Sequence, residues 1–179
     1  MLINNNIVLQ PLQENHAMPL SELVDRNRSH LRTWFAWVDR MSGADHFRNF
    51  IVASNQRAAE GSEISFMIIY KGELAGRIGI YFIDQQNKLG GIGYWLGKEF
   101  EGNGIVTSCI PVVLQIGFNQ LGLNRIEIKC ATTNLRSKAV PERLNFTFEG
   151  VIREGEFHID HFNDLFIYSM LRKDWNQNL

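Results

Sequence analysis

The segment spanning residues 102–124 carries no charged residue and no histidine, although 21% of this 179-residue chain is charged. Polar side chains such as Gln115 interrupt its apolar residues, so a membrane-spanning helix is not expected. A helix over about residues 105–121, buried on most of its faces, is the better interpretation. Strand patterns flank it, at residues 89–97 before and Arg125–Ala131 after. The sequence thus predicts a strand–helix–strand crossover, which favours a mixed α/β sheet.

Apolar periodicity predicts the remaining elements. The further strands are expected at residues 7–12, 64–70, 74–83, 146–157 and 162–172. The further helices are expected at residues 16–40 and 45–59, with a short one from Asn134 to about Leu144. Residues 64–97 should form three consecutive antiparallel strands. The total of about seven strands and four or five helices, without repeats or linkers, predicts one domain covering residues 1–179. Pro111 and Pro141 lie inside predicted helices, where kinks are expected.

Composition excludes several classes of protein. A net charge of -1 gives too little cationic excess to indicate a nucleic-acid or membrane-surface partner.

The two cysteines, Cys109 and Cys130, lie in apolar contexts without CxxC spacing, so buried free thiols are expected rather than a disulfide. The first ten residues show no basic region followed by an apolar core. A cytoplasmic location is therefore expected.

The glycines before the uncharged segment suggest an anion site. A helix N-terminus leaves backbone N–H groups unpaired and concentrates positive charge, so the amides from Gly102 to Thr107 are candidate donors to a phosphate. Neither GxxxxGK[ST] nor GxGxxG occurs here, which excludes the P-loop and the Rossmann fingerprint. A tight turn is the simpler alternative for "EGNG" taken alone.

Several separated motifs resemble, in order and over nearly the whole chain, one enzyme family. They are "GYWLGKEFEGNGIVTSCI", "RIEIKCATTNLRSKAVPERLNFTFEG" and "REGEF". The chain resembles the GCN5-related N-acetyltransferases (GNAT), and among them the RimJ/RimL-type ribosomal-protein N-acetyltransferases. The resemblance implies the GNAT fold, acetyl-CoA as cosubstrate and direct acetyl transfer to an amine.

The family's pyrophosphate loop, Gln/Arg-x-x-Gly-x-Gly/Ala, falls on residues 101–106 of this sequence. Glu101 replaces the usual Gln or Arg, Val106 replaces a small residue, and Asn145 replaces a Gly further along. A carboxylate beside a pyrophosphate would repel it, so the side chain of Glu101 is expected to point away.

The resemblance assigns roles to individual residues. Those expected to bind the cofactor are Tyr94, Trp95, Leu96, Gly102, Asn103, Gly104, Ile105, Val106, Thr107 and Asn134. Ser137 is expected to stabilise the departing thiolate, and Glu156 to accept the proton of the amine. Each has a structural alternative: Trp95 and Leu96 as core residues, Asn134 as a helix cap, and Glu156 as a solvated carboxylate.

Two aromatic residues and two histidines complete the candidate groups. Trp34 and Trp37 lie in the region that in this family walls the acceptor groove, and spacing alone does not choose between them. His158 and His161 invite a metal interpretation, but a spacing of three residues is not expected to place both rings on one face. No metal site is therefore expected.

The resemblance favours the N-terminal α-amine of a ribosomal protein as acceptor, attacked through a tetrahedral intermediate. At pH 7 roughly a tenth of an α-amine is neutral, against well under a thousandth of an ordinary lysine. The alternatives are a small amine, such as a polyamine, an aminoglycoside or an amino-acid-like toxin, and a non-catalytic CoA-binding module. A homodimer is expected by analogy with related enzymes.

Overall fold

A mixed sheet of eight strands, in the order β1-β2-β3-β4-β5-β6-β8-β7, organises the computed structural model, which describes residues 1–176. The strands are β1 (Leu2–Asn4), β2 (Ile7–Pro11), β3 (Ile64–Tyr70), β4 (Glu73–Asp84), β5 (Leu89–Leu96), β6 (Arg125–Ala131), β7 (Thr147–His158) and β8 (His161–Leu171). All neighbours pair antiparallel except β5 and β6, which are parallel. The mixed α/β architecture and the antiparallel β3–β4–β5 unit are therefore confirmed.

Six α-helices surround the sheet in the described part of the chain. They are α1 (Ala17–Arg26), α2 (Arg28–Arg32), α3 (Gly43–Ala59), α4 (Ile105–Gln115), α5 (Leu135–Arg143) and α6 (Arg172–Asn176). A π-helical turn, Ile116–Gln120, extends α4. The counts of about seven strands and four or five helices were slightly low, in part because β1 and α6 have only three and five residues. Such short elements carry no readable period.

The single helix expected over residues 16–40 is wrong, because the chain breaks at Asn27. This residue has φ -110° and ψ 11°, and a 3-10 turn, Ala36–Arg40, follows α2. Asn27 is buried, and its side-chain Nδ2 donates to the Leu23 carbonyl (3.1 Å). Its side-chain oxygen accepts from the Lys98 amide (2.8 Å). A partner 71 residues away therefore fixes the break.

The crossover helix α4 lies in the main core, as its lack of charge predicts. Ile105, Cys109, Ile110 and Val113 on α4 are almost fully buried. In the turn that follows, a Cβ added at Gly117 would lie 2.4 Å from the Cδ1 of Ile126 on β6, so the helix packs closely on the sheet. Burial of this apolar surface stabilises the crossover and fixes the direction in which its N-terminus points.

Both cysteines are buried free thiols, as expected. Burial raises the pKa of the Cys109 thiol to about 12. Among residues 1–176, no helix is long and apolar enough to cross a membrane.

Candidate active site

Strand β5 separates from β6 halfway along its length. The two strands pair only through Leu89–Gly91 and Arg125–Glu127. Beyond Gly91, β5 continues to Leu96 and remains paired with β4 alone. Successive residues of a strand direct their N–H and C=O groups to alternate sides, so alternate backbone groups beyond Gly91 face the opening. The backbone of residues 94–96, which the resemblance assigns to cofactor binding, thus borders this opening.

The loop after β5 delivers backbone amides to the same end of the sheet. Gly102 and Gly104 have φ of 79° and 68°, a conformation that favours glycine. Gly104 is the N-cap of α4, and the first backbone hydrogen bond there runs from the Ser108 amide to the Gly104 carbonyl (3.0 Å). The amides just before Ser108 therefore lie outside the helix ladder and concentrate partial positive charge.

Two findings support this loop as an anion site. The side-chain Nδ2 of Asn103 donates to the carbonyls of Phe100 (3.1 Å) and Glu101 (3.2 Å), which stabilises the turn. The helix begins at Ile105, with Pro111 inside it, and not at the proline. The amides near Gly104 are consequently a true helix N-terminus.

Glu101 is held by an arginine and a histidine that sequence reasoning missed. One carboxylate oxygen pairs with the guanidinium of Arg136, at the start of α5, and the other lies 3.1 Å from the Nε2 of His30 on α2. Arg136 is 78% exposed, so its guanidinium keeps free surface beside the loop. No local motif signals this arrangement, because the three residues come from three separate parts of the chain.

Ser137 and Tyr94 meet across the opening between β5 and α5. The Tyr94 Oη donates to the Ser137 carbonyl (3.1 Å) and lies 3.1 Å from the Ser137 Oγ. Asn134 caps α5 by accepting from the Ser137 amide (3.0 Å), so its capping role is confirmed. Burial raises the pKa of Tyr94, and the hydrogen bond with Ser137 acts in the opposite direction.

Cys130, on β6, belongs to this polar group. Burial raises the pKa of its thiol, and the hydroxyl of Ser137 works against that shift. The Tyr94 phenol and the Cys130 thiol are therefore both neutral donors at pH 7.

A cavity of about 710 Å³ opens on the face of the sheet beside β5. Tyr94, Trp95 and Glu156 line it together, so the structure brings the predicted base next to the predicted acyl-binding strand. Glu156 is exposed and follows an irregular stretch of β7, and its carboxylate makes no hydrogen bond or ion pair with any described residue. Its carboxylate is therefore available to an amine.

Of the two tryptophans predicted for the acceptor groove, Trp37 lines this cavity and Trp34 is absent from its lining. The Trp37 ring centroid lies 5.9 Å from those of Phe35 and Trp95. Sequence reasoning missed much of the aromatic lining, including Phe50 and Tyr81, because these residues read as ordinary core positions. Aromatic side chains therefore form much of the cavity wall.

His158 and His161 face each other across the turn between β7 and β8, with ring centroids 5.5 Å apart. The expectation that they lie on different faces is wrong, because the two residues between them form a turn that makes them cross-strand partners. His161 bonds Asp160 (2.8 Å), and His158 is buried. Within residues 1–176, no group of three or more His, Cys, Asp or Glu residues has a metal-binding arrangement.

Comparison with known proteins places this geometry in a context. Residues 6–147 match the family model described as the acetyltransferase (GNAT) domain. The putative ribosomal N-acetyltransferase YdaF of Bacillus subtilis is 36% identical over 174 residues, covering 97% of this chain and 95% of that protein.

Two solved structures are similar over nearly their full length. RimL, a ribosomal L7/L12 alpha-N-protein acetyltransferase in complex with coenzyme A, matches with a TM-score of 0.91 at 25% identity, covering 97% of this chain and 98% of that one. The microcin C7 self-immunity acetyltransferase MccE, in complex with acetyl-CoA and AMP, matches with a TM-score of 0.89 at 32% identity, covering 94% of both chains.

Proposed function

The chain belongs to the GNAT acetyltransferase family, and we propose that it transfers the acetyl group of acetyl-CoA to the N-terminal α-amine of a ribosomal protein. The observation that carries this proposal is the cavity in which Glu156 meets Tyr94 and Trp95 at the splayed end of β5. An amine, a carboxylate that takes its proton and a backbone that holds the acyl group can be placed there together.

In the proposed complex, the pyrophosphate of acetyl-CoA is bound by the amides of residues 102–107. These amides lie at the N-terminus of α4, where phosphates bind well. Arg136 supplies an exposed positive charge beside them, and its ion pair with Glu101 keeps that carboxylate turned towards a cation. Asn134 supports the cofactor indirectly by capping the helix that carries Arg136 and Ser137.

The pantetheine arm then lies in the opening between β5 and β6. The amine nitrogen attacks the thioester carbon, and Glu156 takes its proton directly or through water. A backbone N–H within residues 94–96 stabilises the developing oxyanion. As the tetrahedral intermediate collapses, the carbon–sulfur bond breaks, the amide is released and the thiolate leaves.

Ser137 is placed to stabilise that thiolate. A phenol has one proton, and the Ser137 carbonyl can only accept, so Tyr94 donates to the carbonyl and the serine hydroxyl is the donor in its 3.1 Å contact with the phenol oxygen. A hydroxyl rotates to suit its acceptor, so this proton is able to turn to a thiolate that forms nearby. The hydroxyl can then donate to the sulfur. Full proton transfer from an alcohol is unfavourable, so the role assigned to Ser137 is hydrogen bonding rather than acid catalysis.

The acceptor assignment rests on the similarity to YdaF and RimL, together with the greater neutral fraction of an α-amine at pH 7. The test is thiol release from acetyl-CoA in the presence of N-terminal peptides of ribosomal proteins, polyamines and aminoglycosides, with the product located by mass spectrometry. Acetylation of peptide α-amines supports the proposal, and acetylation confined to small amines contradicts it.

A second candidate acceptor is an amino-acid-like toxin. Its support is the similarity to MccE and an aromatic cavity large enough to enclose a small molecule. An aminoacyl nucleotide analogue added to the panel separates the two candidates. Acetyl-CoA binding without thiol release for any acceptor would instead indicate a non-catalytic module.

We further propose that residues 1–179 act as one domain in the cytoplasm, as a homodimer. Phe148 and Val151 on the edge strand β7 are about half exposed, which suits a partner surface. Light scattering after gel filtration tests the dimer.

A further inference from the structure

One wall of the acceptor cavity contains a buried arginine for which the proposed chemistry has no use. Arg77, on β4, lines the cavity with a side chain only 12% exposed. Its guanidinium carbon lies 4.3 Å from the ring centroid of Phe50 and 5.1 Å from that of Tyr81. Two aromatic rings therefore hold the guanidinium in one position.

Polar contacts fix the same guanidinium on one side. Its Nε donates to the Ser65 hydroxyl (2.7 Å), and its Nη2 donates to Glu63 (2.6 Å) and to Ser54 (3.2 Å). Nη1 makes no hydrogen bond with any described residue. Among the described residues, every fully buried side-chain polar atom except the Nε1 of Trp175 has a hydrogen-bond partner. Nη1 of Arg77 has no partner, so it is not fully buried and keeps access to solvent. Because Arg77 lines the cavity, we take this solvent to be the water in the cavity.

The charges around Arg77 do not cancel. Glu63 is buried, and its carboxylate is shared between Arg77 and Arg57, whose Nε lies 2.6 Å from it. Two guanidiniums and one carboxylate leave one positive charge in the cluster. An anion that enters the cavity can replace the solvent at Nη1 and accept a charge-assisted hydrogen bond from it.

The cavity wall also carries two carboxylates, those of Glu127 and Glu156, and only one of them has a cationic partner. Glu127 is paired with Arg125 (2.8 Å) and Lys129 (3.0 Å), so its charge is compensated. Glu156 has no ion pair among the described residues. The cavity therefore offers one unpaired carboxylate for an amine and, elsewhere on its wall, one guanidinium N–H donor, at Nη1 of Arg77, without a protein partner.

We propose that Arg77 binds a carboxylate of the acceptor and thereby determines which amines are acetylated. This inference rests on the proposed function, because it assumes that the acceptor occupies the cavity with its amine at Glu156. The carboxylate can come from an acidic side chain near a protein N-terminus or from the α-carboxylate of a free amino acid.

The experiment compares matched acceptors that differ only in that carboxylate. One pair is Ser-Asp-Ala-Ala and Ser-Asn-Ala-Ala, both with amidated C-termini, and the other is free phenylalanine and phenylalaninamide. The kcat/KM values are compared per neutral amine, because the ammonium of phenylalaninamide is more acidic than that of phenylalanine. We expect the carboxylate member of at least one pair to have a kcat/KM higher by about tenfold, mainly through a lower KM. The pair that shows the preference identifies the source of the carboxylate.

Three variants then assign the preference to Arg77. Arg77→Gln should abolish it, and Arg77→Lys should retain part of it. Arg57→Gln is the matched control, because Arg57 pairs with the same Glu63 but is 43% exposed and absent from the cavity lining. That variant removes the excess charge of the cluster but leaves the Nη1 donor of Arg77 in place, so it should keep most of the preference.

The outcomes separate the two proposals. Turnover of all four acceptors without a preference would overturn the role of Arg77 and leave the acetyltransferase proposal intact. Turnover of none of them, nor of any other amine in the panel, would overturn both. Should Arg77→Gln fail to fold, the preference of the parent enzyme and the Arg77→Lys variant decide the question.

Discussion

The phenol oxygen of Tyr94 lies 3.1 Å from both the hydroxyl oxygen and the carbonyl oxygen of Ser137. This contact joins β5 to α5 across the opening where β5 leaves β6. The strand proposed to hold the acyl group and the helix proposed to hold the sulfur are thus kept at a fixed separation. Catalysis by a pre-positioned donor depends on that rigidity.

We expect Ser137→Ala to lower kcat about tenfold to a hundredfold while the KM for acetyl-CoA changes little, because a thiolate develops only in the transition state. The backbone cap from Asn134 survives this change. Tyr94→Phe is the control, since it removes the contact but leaves the serine hydroxyl, and its effect should be smaller. Steady-state kinetics of both variants test this, and an unchanged kcat in Ser137→Ala would remove the role.

Because burial raises the pKa of Tyr94, its phenol stays protonated through the usual assay range. The ordinary pKa of tyrosine is about 10, so Tyr94 should contribute no step to the pH–rate profile between about pH 6 and 9. A step in this range that Tyr94→Phe abolishes would contradict this.

Glu156→Gln should lower kcat by about a hundredfold or more if the carboxylate takes the proton of the amine. Asp164→Asn is a suitable control, because Asp164 belongs to the same hairpin and its carboxylate accepts from the Glu154 amide (2.8 Å) outside the cavity lining. The rate and the pH–rate profile of each variant are compared with the parent. A Glu156→Gln enzyme with the parent rate and profile would rule out this base.

Local pattern predicted the fold, whereas the candidate site residues came from the family resemblance. The bounds of β6 follow from its alternation of apolar and charged residues, those of β3 from an apolar run that ends at a turn, and α4 from its lack of charge. The break at Asn27 was missed because Lys98, which stabilises it, is distant in sequence. Likewise Asn134 and Ser137 form a readable cap, whereas Arg77 is an ordinary strand residue until β3 and α3 place its partners beside it.

Arg136→Gln should weaken acetyl-CoA binding about threefold to tenfold at low salt, and less at high salt, because its charge is exposed and screened. Glu101→Gln is the control that leaves Arg136 in place. It removes both the predicted repulsion and the ion pair, so its net effect should stay within about threefold. Calorimetric titration at two salt concentrations measures this, and a salt-independent loss in Arg136→Gln would argue against a phosphate contact.

Acid stability should depend on Glu149. Hydrogen bonds from Arg125 and Ser169 lower its pKa from 4.5 to about 2. A lowered folded-state pKa adds stability above the unfolded value, and that stability is lost as the pH falls from 4.5 towards 2. Glu149→Gln should thus destabilise the protein at pH 7 but make little difference near pH 2. Urea unfolding across this pH range gives the comparison, and a pH-independent difference would contradict the linkage.

Filling the cavity from its floor should separate acceptor binding from cofactor binding. Gly91 lines the cavity on β5, and a Cβ added there would lie 3.9 Å from its nearest neighbours, the carbonyl oxygens of Glu127 and Tyr81. The Cβ of alanine or valine therefore fits without a clash, and valine suits a strand. We expect Gly91→Val to raise the acceptor KM about tenfold or more by occupying acceptor space, while the affinity for acetyl-CoA stays within about twofold. Gly91→Ala should give an intermediate effect, since its side chain is smaller. Titration with acetyl-CoA serves as the internal control for folding. An acceptor KM unchanged in both variants would show that the acceptor lies elsewhere.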